Sequence, residues 1–366
     1  MVLSSACSPS VSLGASSTPS TPAGIPRSAD YIPGVEHAAN LTAAASSTLL
    51  LPLSSPGGAP CLVVGKINGE ILVFTCDRSQ RVLKHDATSH SPITALAYGK
   101  LSTSEDQLVA ISADGHLQSL RVDVSTPSIS LIFSQLVQAN IAAALVYDID
   151  RDGTAELVAL MTDRVVRTFR FSVELQRLVA CNKWEVPSQI SAVAIGESSI
   201  RNQEAWLSQV GTRQYVALRF SGDQNVSVCD SHKESTALIM PYRCHFLHIM
   251  GSLISNVIVY ANQKERLLRS EGSDVVAAAS VRLSSLAVVV TLDCRGRCLL
   301  YAYNERNIKH TELDPLLRLH VLPDASDVSS IAVADDLFIG VVTVRNRCIV
   351  YSVPIAVIKA RFDSVT

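Results

Sequence analysis

One element recurs along the whole chain: a short apolar strand, a polar turn and a second apolar strand. It is clearest at residues 61–74 (CLVVGKINGEILVF), 108–122 (LVAISADGHLQSLRV) and 157–171 (LVALMTDRVVRTFRF), and further copies begin at Trp206, Val257, Ala287 and Ile339. The turns carry Asn68-Gly69, Asp114-Gly115, Asp163-Arg164 and Asn346-Arg347. Asn-Gly and Asp-Gly are strong hairpin signals, because a two-residue turn between twisted strands needs positive φ. A run of small apolar residues precedes each hairpin: LTAAASSTLLL, PITALAYG, IAAALVYDID, QISAVAIG, CHFLHIMGSL, DVVAAASV and DVSSIAVAD. Small side chains suit an innermost strand, where neighbouring sheets converge.

Seven such pairs recur at a period of roughly 45–50 residues, that of one four-stranded propeller blade. The pattern predicts an all-β chain folded as a seven-bladed β-propeller over residues 34–360. Ring closure is expected to join a strand within residues 34–50 to the last hairpin, since closure removes sheet edges. Hairpins five and six begin only about 30 residues apart, so a blade there is expected to lack its outer strand. The competing fold, a many-stranded β-sandwich, gives no reason for strand and hairpin to alternate in register seven times.

The chain is 48% hydrophobic and 17% charged, and its mean hydropathy is +0.26. It nevertheless contains no run of about 18 apolar residues, as a membrane-spanning helix would need. Net charge is −2, with Lys and Arg scattered. No basic face offers itself to a phosphate backbone, which argues against nucleic acid as a partner. The nine cysteines are odd in number and contain no C-x-x-C, which points to a reducing compartment. Cys294 and Cys298 flank a turn but lack a second pair of zinc ligands. Residues 1–33 are rich in Ser, Pro and Thr, with Arg27 the first positive side chain. They read as a disordered tail rather than a secretory signal. The sequons at Asn40 and Asn225 would matter only in a secreted protein.

One loop carries chemistry. Residues 148–158 read DIDRDGTAELV. Asp148, Asp150 and Asp152 alternate, so their carboxylates converge when the chain turns. Gly153 permits the bend, the Thr154 carbonyl can face inward and Glu156 closes the shell. Hard oxygens at this spacing suit one Ca²⁺, as in the first half of an EF-hand loop, although strand signals rather than helices flank it here. The bland alternative is a solvated acidic turn. The matching segments of the first and last repeats hold Ser54-Ser55-Pro56-Gly57-Gly58 and only Asp335-Asp336. An ion at this single loop would therefore be structural.

No catalytic motif is present: G-x-S-x-G, the P-loop and the dinucleotide-binding glycines are all missing. His245 and His248 are close in sequence, but residues three apart in a strand face opposite sides. The reading is of a non-enzyme. A hydrolase or lyase with a central-channel site would want His and carboxylates on the innermost strands, which here are rich in Ala, Val and Ser.

D-x-D-x-D-G-x-x-[DE]-L resembles the FG-GAP repeat, the blade unit of integrin-α propellers. The stretch 148–171, the Lys183-Trp184 pair and the segments 108–121 and 62–74 are similar to the integrin-α FG-GAP repeat-containing proteins of the KICSTOR complex. This resemblance covers about 100 residues. It implies a non-catalytic scaffold subunit of a lysosome-associated assembly that negatively regulates TOR complex 1 when amino acids are low. It also implies protein partners: a kaptin-like propeller, other KICSTOR-type subunits and a GATOR-type complex. Residence at the lysosomal membrane would be peripheral and borrowed from those partners, with no insertion by the chain itself. An extracellular, integrin-like adhesion propeller is the alternative, and the single Ca²⁺ loop and odd cysteine count speak against it.

Overall fold

A computed structural model of the chain describes residues 34–37, 45–51, 60–75, 82–86, 89–197, 203–209, 214–220, 226–230, 236–239, 247–252, 256–261, 264–269, 275–283, 286–293, 295–304, 312–319, 325–333, 336–343 and 348–365. The expected tail 1–33 lies outside them, as do Asn40, 54–58, Asn225, His245, Cys294, Asp335 and the Asn346-Arg347 turn.

The described strands form seven sheets. Sheets one to four are each a run of four consecutive antiparallel strands. Sheet two is built from Ile93–Gly99, Gln107–Ser112, His116–Asp123 and Ser128–Leu136. Sheet three is built from Ile141–Tyr147, Glu156–Met161, Val165–Ser172 and Arg177–Glu185. The turns between second and third strands are those the sequence marks, with positive φ at Gly69, Gly115 and Arg164. In every sheet the first strand shifts register just after its first paired residue, as between Ile141 and Ala143. A bulge of this kind raises local twist.

The small-residue runs are the first strands of six sheets: Ala45–Leu51, Ile93–Gly99, Ile141–Tyr147, Ile190–Glu197, Val275–Leu283 and Ala325–Val333. Sheet five departs from expectation. Its first strand is Thr236–Ile239, so the apolar run around Leu247–Ser252 is its second strand. The hairpin of Asn256–Ala261 and Lys264–Arg269 is then its outer half. Sheet five therefore keeps four antiparallel strands, and Glu312–Leu313 joins its outer edge in parallel. Neither sheet five nor sheet six lacks its outer strand, but that of sheet six, Leu317–Leu319, is shortened to three residues. In sheet seven the outer position next to Cys348–Pro354 is filled by Gly34–His37, paired antiparallel from the other end of the sequence.

The second strands of sheets two and three are buried on both faces because each of these sheets lies between two others. In Gln107–Ser112, Leu108 and Ala110 enter the core shared with sheet one. Val109 and Ile111 enter the core shared with sheet three. In Glu156–Met161, Leu157 and Ala159 face sheet two, while Val158 and Leu160 face sheet four. Period-two alternation thus sends neighbouring side chains into different cores, and the strand reads as a continuous apolar run. A further core joins sheets six and seven, and the first strands of sheets seven and one lie against each other. The outer strands of sheets two and three are largely exposed.

A helix, Ile355–Val365, follows the last strand. Ile358 is fully buried and Ile355 and Phe362 pack beside it on the core of sheets six and seven. Among the described residues no helix is long and apolar enough to cross a membrane. Cys61 and Cys298 are buried free thiols, and Cys181 is an exposed one.

Candidate metal loop and its ion-pair cluster

The 148–156 loop joins the first and second strands of sheet three. Two residues hold its path: Arg151 and Gly153 take positive φ, 61° and 90°. The carboxylates first serve the backbone. Asp148 Oδ2 accepts the Gly153 amide at 2.9 Å, Asp150 Oδ1 the Asp152 amide at 3.3 Å and Asp152 Oδ1 the Thr154 amide at 2.8 Å. Such short-range bonds are what Asp offers in a turn. Glu156 begins the second strand, is 1% exposed, and accepts the amide of the buried Ile149 at 3.0 Å through Oε2.

Arg170 completes the cluster. Leu157 pairs with Phe169 across the hairpin, so the next position outward sets Arg170 beside Glu156. The Arg170 Nε donates to Glu156 Oε1 at 2.7 Å, and Nη2 reaches the same oxygen. Nη2 also donates to Asp150 Oδ2 at 2.8 Å, and Nη1 lies 2.9 Å from Asp152 Oδ2. The planar fork suits this spread of acceptors. Burial pushes the Glu156 carboxyl up, against the Ile149 amide and the Arg170 guanidinium. Arg170 is held more firmly protonated, by Glu156 first. The Thr154 amide, with help from Arg170, lowers Asp152.

The structure brings together the four acids singled out in the sequence, and Asp148, Asp150 and Glu156 can place one oxygen each within 4.8 Å of the others. Thr154 enters through its amide, bonded to Asp152. Seven of the eight carboxylate oxygens already accept hydrogen bonds, and Asp148 Oδ1 is buried with no partner among the described residues. Ca²⁺ takes six to eight oxygens. With Arg170 bridging Asp150, Asp152 and Glu156, the loop as folded does not fit such an ion. Arg170 is the site residue that motif reading misses. The Asp163-Arg164 turn carried the signal, since counting outward from it sets residue 170 opposite 156.

The comparisons agree with this architecture. The family model for integrin-alpha FG-GAP repeat-containing protein 2 matches residues 78–262, just over half of the chain. KICSTOR complex protein ITFG2 of Bos taurus is 30% identical over 43% of this chain and 33% of that protein. KICSTOR complex protein ITFG2 of Mus musculus is 30% identical over 43% of this chain and 40% of that protein. The chain thus spans a third to two fifths of the length of these curated relatives. Among solved structures, BBS1N in complex with ARL6DN superposes with a TM-score of 0.63 at 11% identity, covering 89% of this chain and 99% of that one. The RRP9 WD40 repeats superpose with a TM-score of 0.61 at 13% identity, covering 89% and 98%. Likeness at such low identity speaks for the fold alone, and WD40 repeats build β-propellers. With its FG-GAP loop, its repeated antiparallel sheets and this family match, the chain belongs to the integrin-alpha FG-GAP repeat-containing protein 2 family.

Proposed function

We propose that this chain is a non-catalytic, seven-bladed propeller that serves as a scaffold subunit of a KICSTOR-like assembly and restrains TOR complex 1 when amino acids are scarce. The family match carries the reading, together with two relatives that bear the name KICSTOR complex protein. Seven sheets in chain order support the blade count, and the pairing of Gly34–His37 with Cys348–Pro354 supports closure of the ring. A closed propeller is a rigid body with broad loop-built faces, which suits docking to several partners at once. The partners in this reading are a kaptin-like propeller, other KICSTOR-type subunits and a GATOR-type complex. The lysosomal surface would be reached through them.

In this reading partner contact runs along the outer edges of sheets two and three. Leu131, on the outer strand of sheet two, is 50% exposed, and Val173 and Leu175, in the turn leading into the outer strand of sheet three, are 73% and 55% exposed; all three fall inside the family-matched segment. Deletion of the gene followed by amino-acid withdrawal tests the function. TOR signalling is expected to stay high in the deletion, to be restored by the intact chain and not by a variant carrying Val173→Asp and Leu175→Asp. Normal shut-off in the deletion would overturn the nutrient-sensing role.

A further inference from the structure

A loop with three alternating aspartates and a closing glutamate has the donor set of a Ca²⁺ site, yet here a side chain of the same sheet has entered it. Arg170 projects from Val165–Ser172 and bonds Asp150, Asp152 and Glu156. The remaining oxygens of these three residues accept the amides of Ile149, Asp152 and Thr154. Of the loop's carboxylate oxygens, Asp148 Oδ1 alone has no partner among the described residues. One open oxygen is far from the six to eight that Ca²⁺ gathers.

We propose that Arg170 is the loop's resident cation: its guanidinium takes the place of a divalent ion, keeps the 148–156 loop folded without one, and excludes Ca²⁺ for as long as it stays. A cation tethered on the neighbouring strand has an effective concentration that does not depend on the ions in solution. The fork also does what a spherical ion does by other means. It neutralises the buried Glu156 and draws two aspartates to one side of the loop, through hydrogen bonds whose directions are fixed. Asp148, which Arg170 does not reach, is the residue left with an unpaired oxygen. That is the expected mark of a cation that covers part of the donor set.

Calorimetry and thermal unfolding of the full chain with Ca²⁺ up to about 10 mM, above the range of the weakest extracellular sites, test this. The unaltered chain is expected to show no binding heat and no change in Tm. Arg170→Gln is expected to melt lower without the ion and to gain Ca²⁺ binding, with Tm rising by about 2 °C at a tenfold excess over Kd. Submillimolar binding to the unaltered chain would overturn the proposal. So would a folded Arg170→Gln protein that binds nothing. If that variant does not fold, the Arg170 Nε–H resonance of the unaltered chain decides. A resolved, exchange-protected signal that Ca²⁺ leaves in place supports the resident arginine, and a signal averaged with exposed arginines refutes it.

Discussion

Gly115 and Gly153 have almost the same backbone and opposite surroundings, which makes them a matched pair of probes. Their φ angles are +89° and +90°. A Cβ on Gly115 would lie 2.9 Å from Ala139 N, Gln138 C and Val137 O, all backbone atoms of the segment that leads from sheet two into sheet three. A Cβ on Gly153 would meet nothing within 4 Å. Each alanine substitution costs about 1–2 kcal/mol for the left-handed backbone. At Gly115 the linker must also move away. That breaks the bond from the Val137 amide to the Gly115 carbonyl (2.9 Å) and strains the one from Asn140 to Ala113 (3.5 Å), each worth about 1 kcal/mol net. Gly115→Ala should therefore cost about 3–4 kcal/mol and Gly153→Ala about 1–2 kcal/mol. Urea unfolding, with the slope held unchanged between variants, measures both. Equal losses, or a larger loss at Gly153, would refute the idea that hairpin turns are braced by the linker to the next sheet.

Three further outcomes follow from the geometry. Lys66 first, with Lys84 and Asn68, lowers the Glu70 carboxyl from 4.5 to about 2. A depressed carboxylate stabilises the fold above its unfolded value, and that stability is lost as pH falls through about 2. Glu70→Gln should flatten the acid limb of stability between pH 4.5 and about 2, and cost roughly 1.5–3 kcal/mol at neutral pH by taking a charged partner from the buried Lys66. Trp184, 3% exposed and edge-on to Phe220 at 5.6 Å between centroids, joins the core of sheets three and four. Trp184→Ala should cost about 3–5 kcal/mol in chemical unfolding and weaken the near-ultraviolet circular dichroism. Its indole N–H has no partner among the described residues, so Trp184→Phe should cost roughly 1 kcal/mol.

What could be read ahead of the structure followed the strength of local signals. Asn68-Gly69 and Asp114-Gly115 announce their hairpins, because few other residues take positive φ cheaply. The twofold-buried second strands were also legible, as unbroken runs of Leu, Val, Ile and Ala. Sheet five reads one strand off in the sequence because Thr236–Ile239 has four residues, while the longer apolar run at Leu247–Ser252 has the look of an innermost strand. The helix Ile355–Val365 is hidden because IAVI reads as one more apolar run, although Ile355, Ile358 and Phe362 recur at helical spacing. At the loop, motif spacing located the acids. It could not supply Arg170, which reaches them across the hairpin rather than along the chain.

The scaffold role is tested most directly by purifying the tagged chain from its own cells under mild conditions and measuring the mass and composition of what comes with it. A discrete complex is expected, containing a second propeller of the kaptin type and larger KICSTOR-type subunits in fixed ratio, with these lost on Val173→Asp and Leu175→Asp substitution. Recovery of the chain as a monomer with no partner in fixed ratio would contradict it.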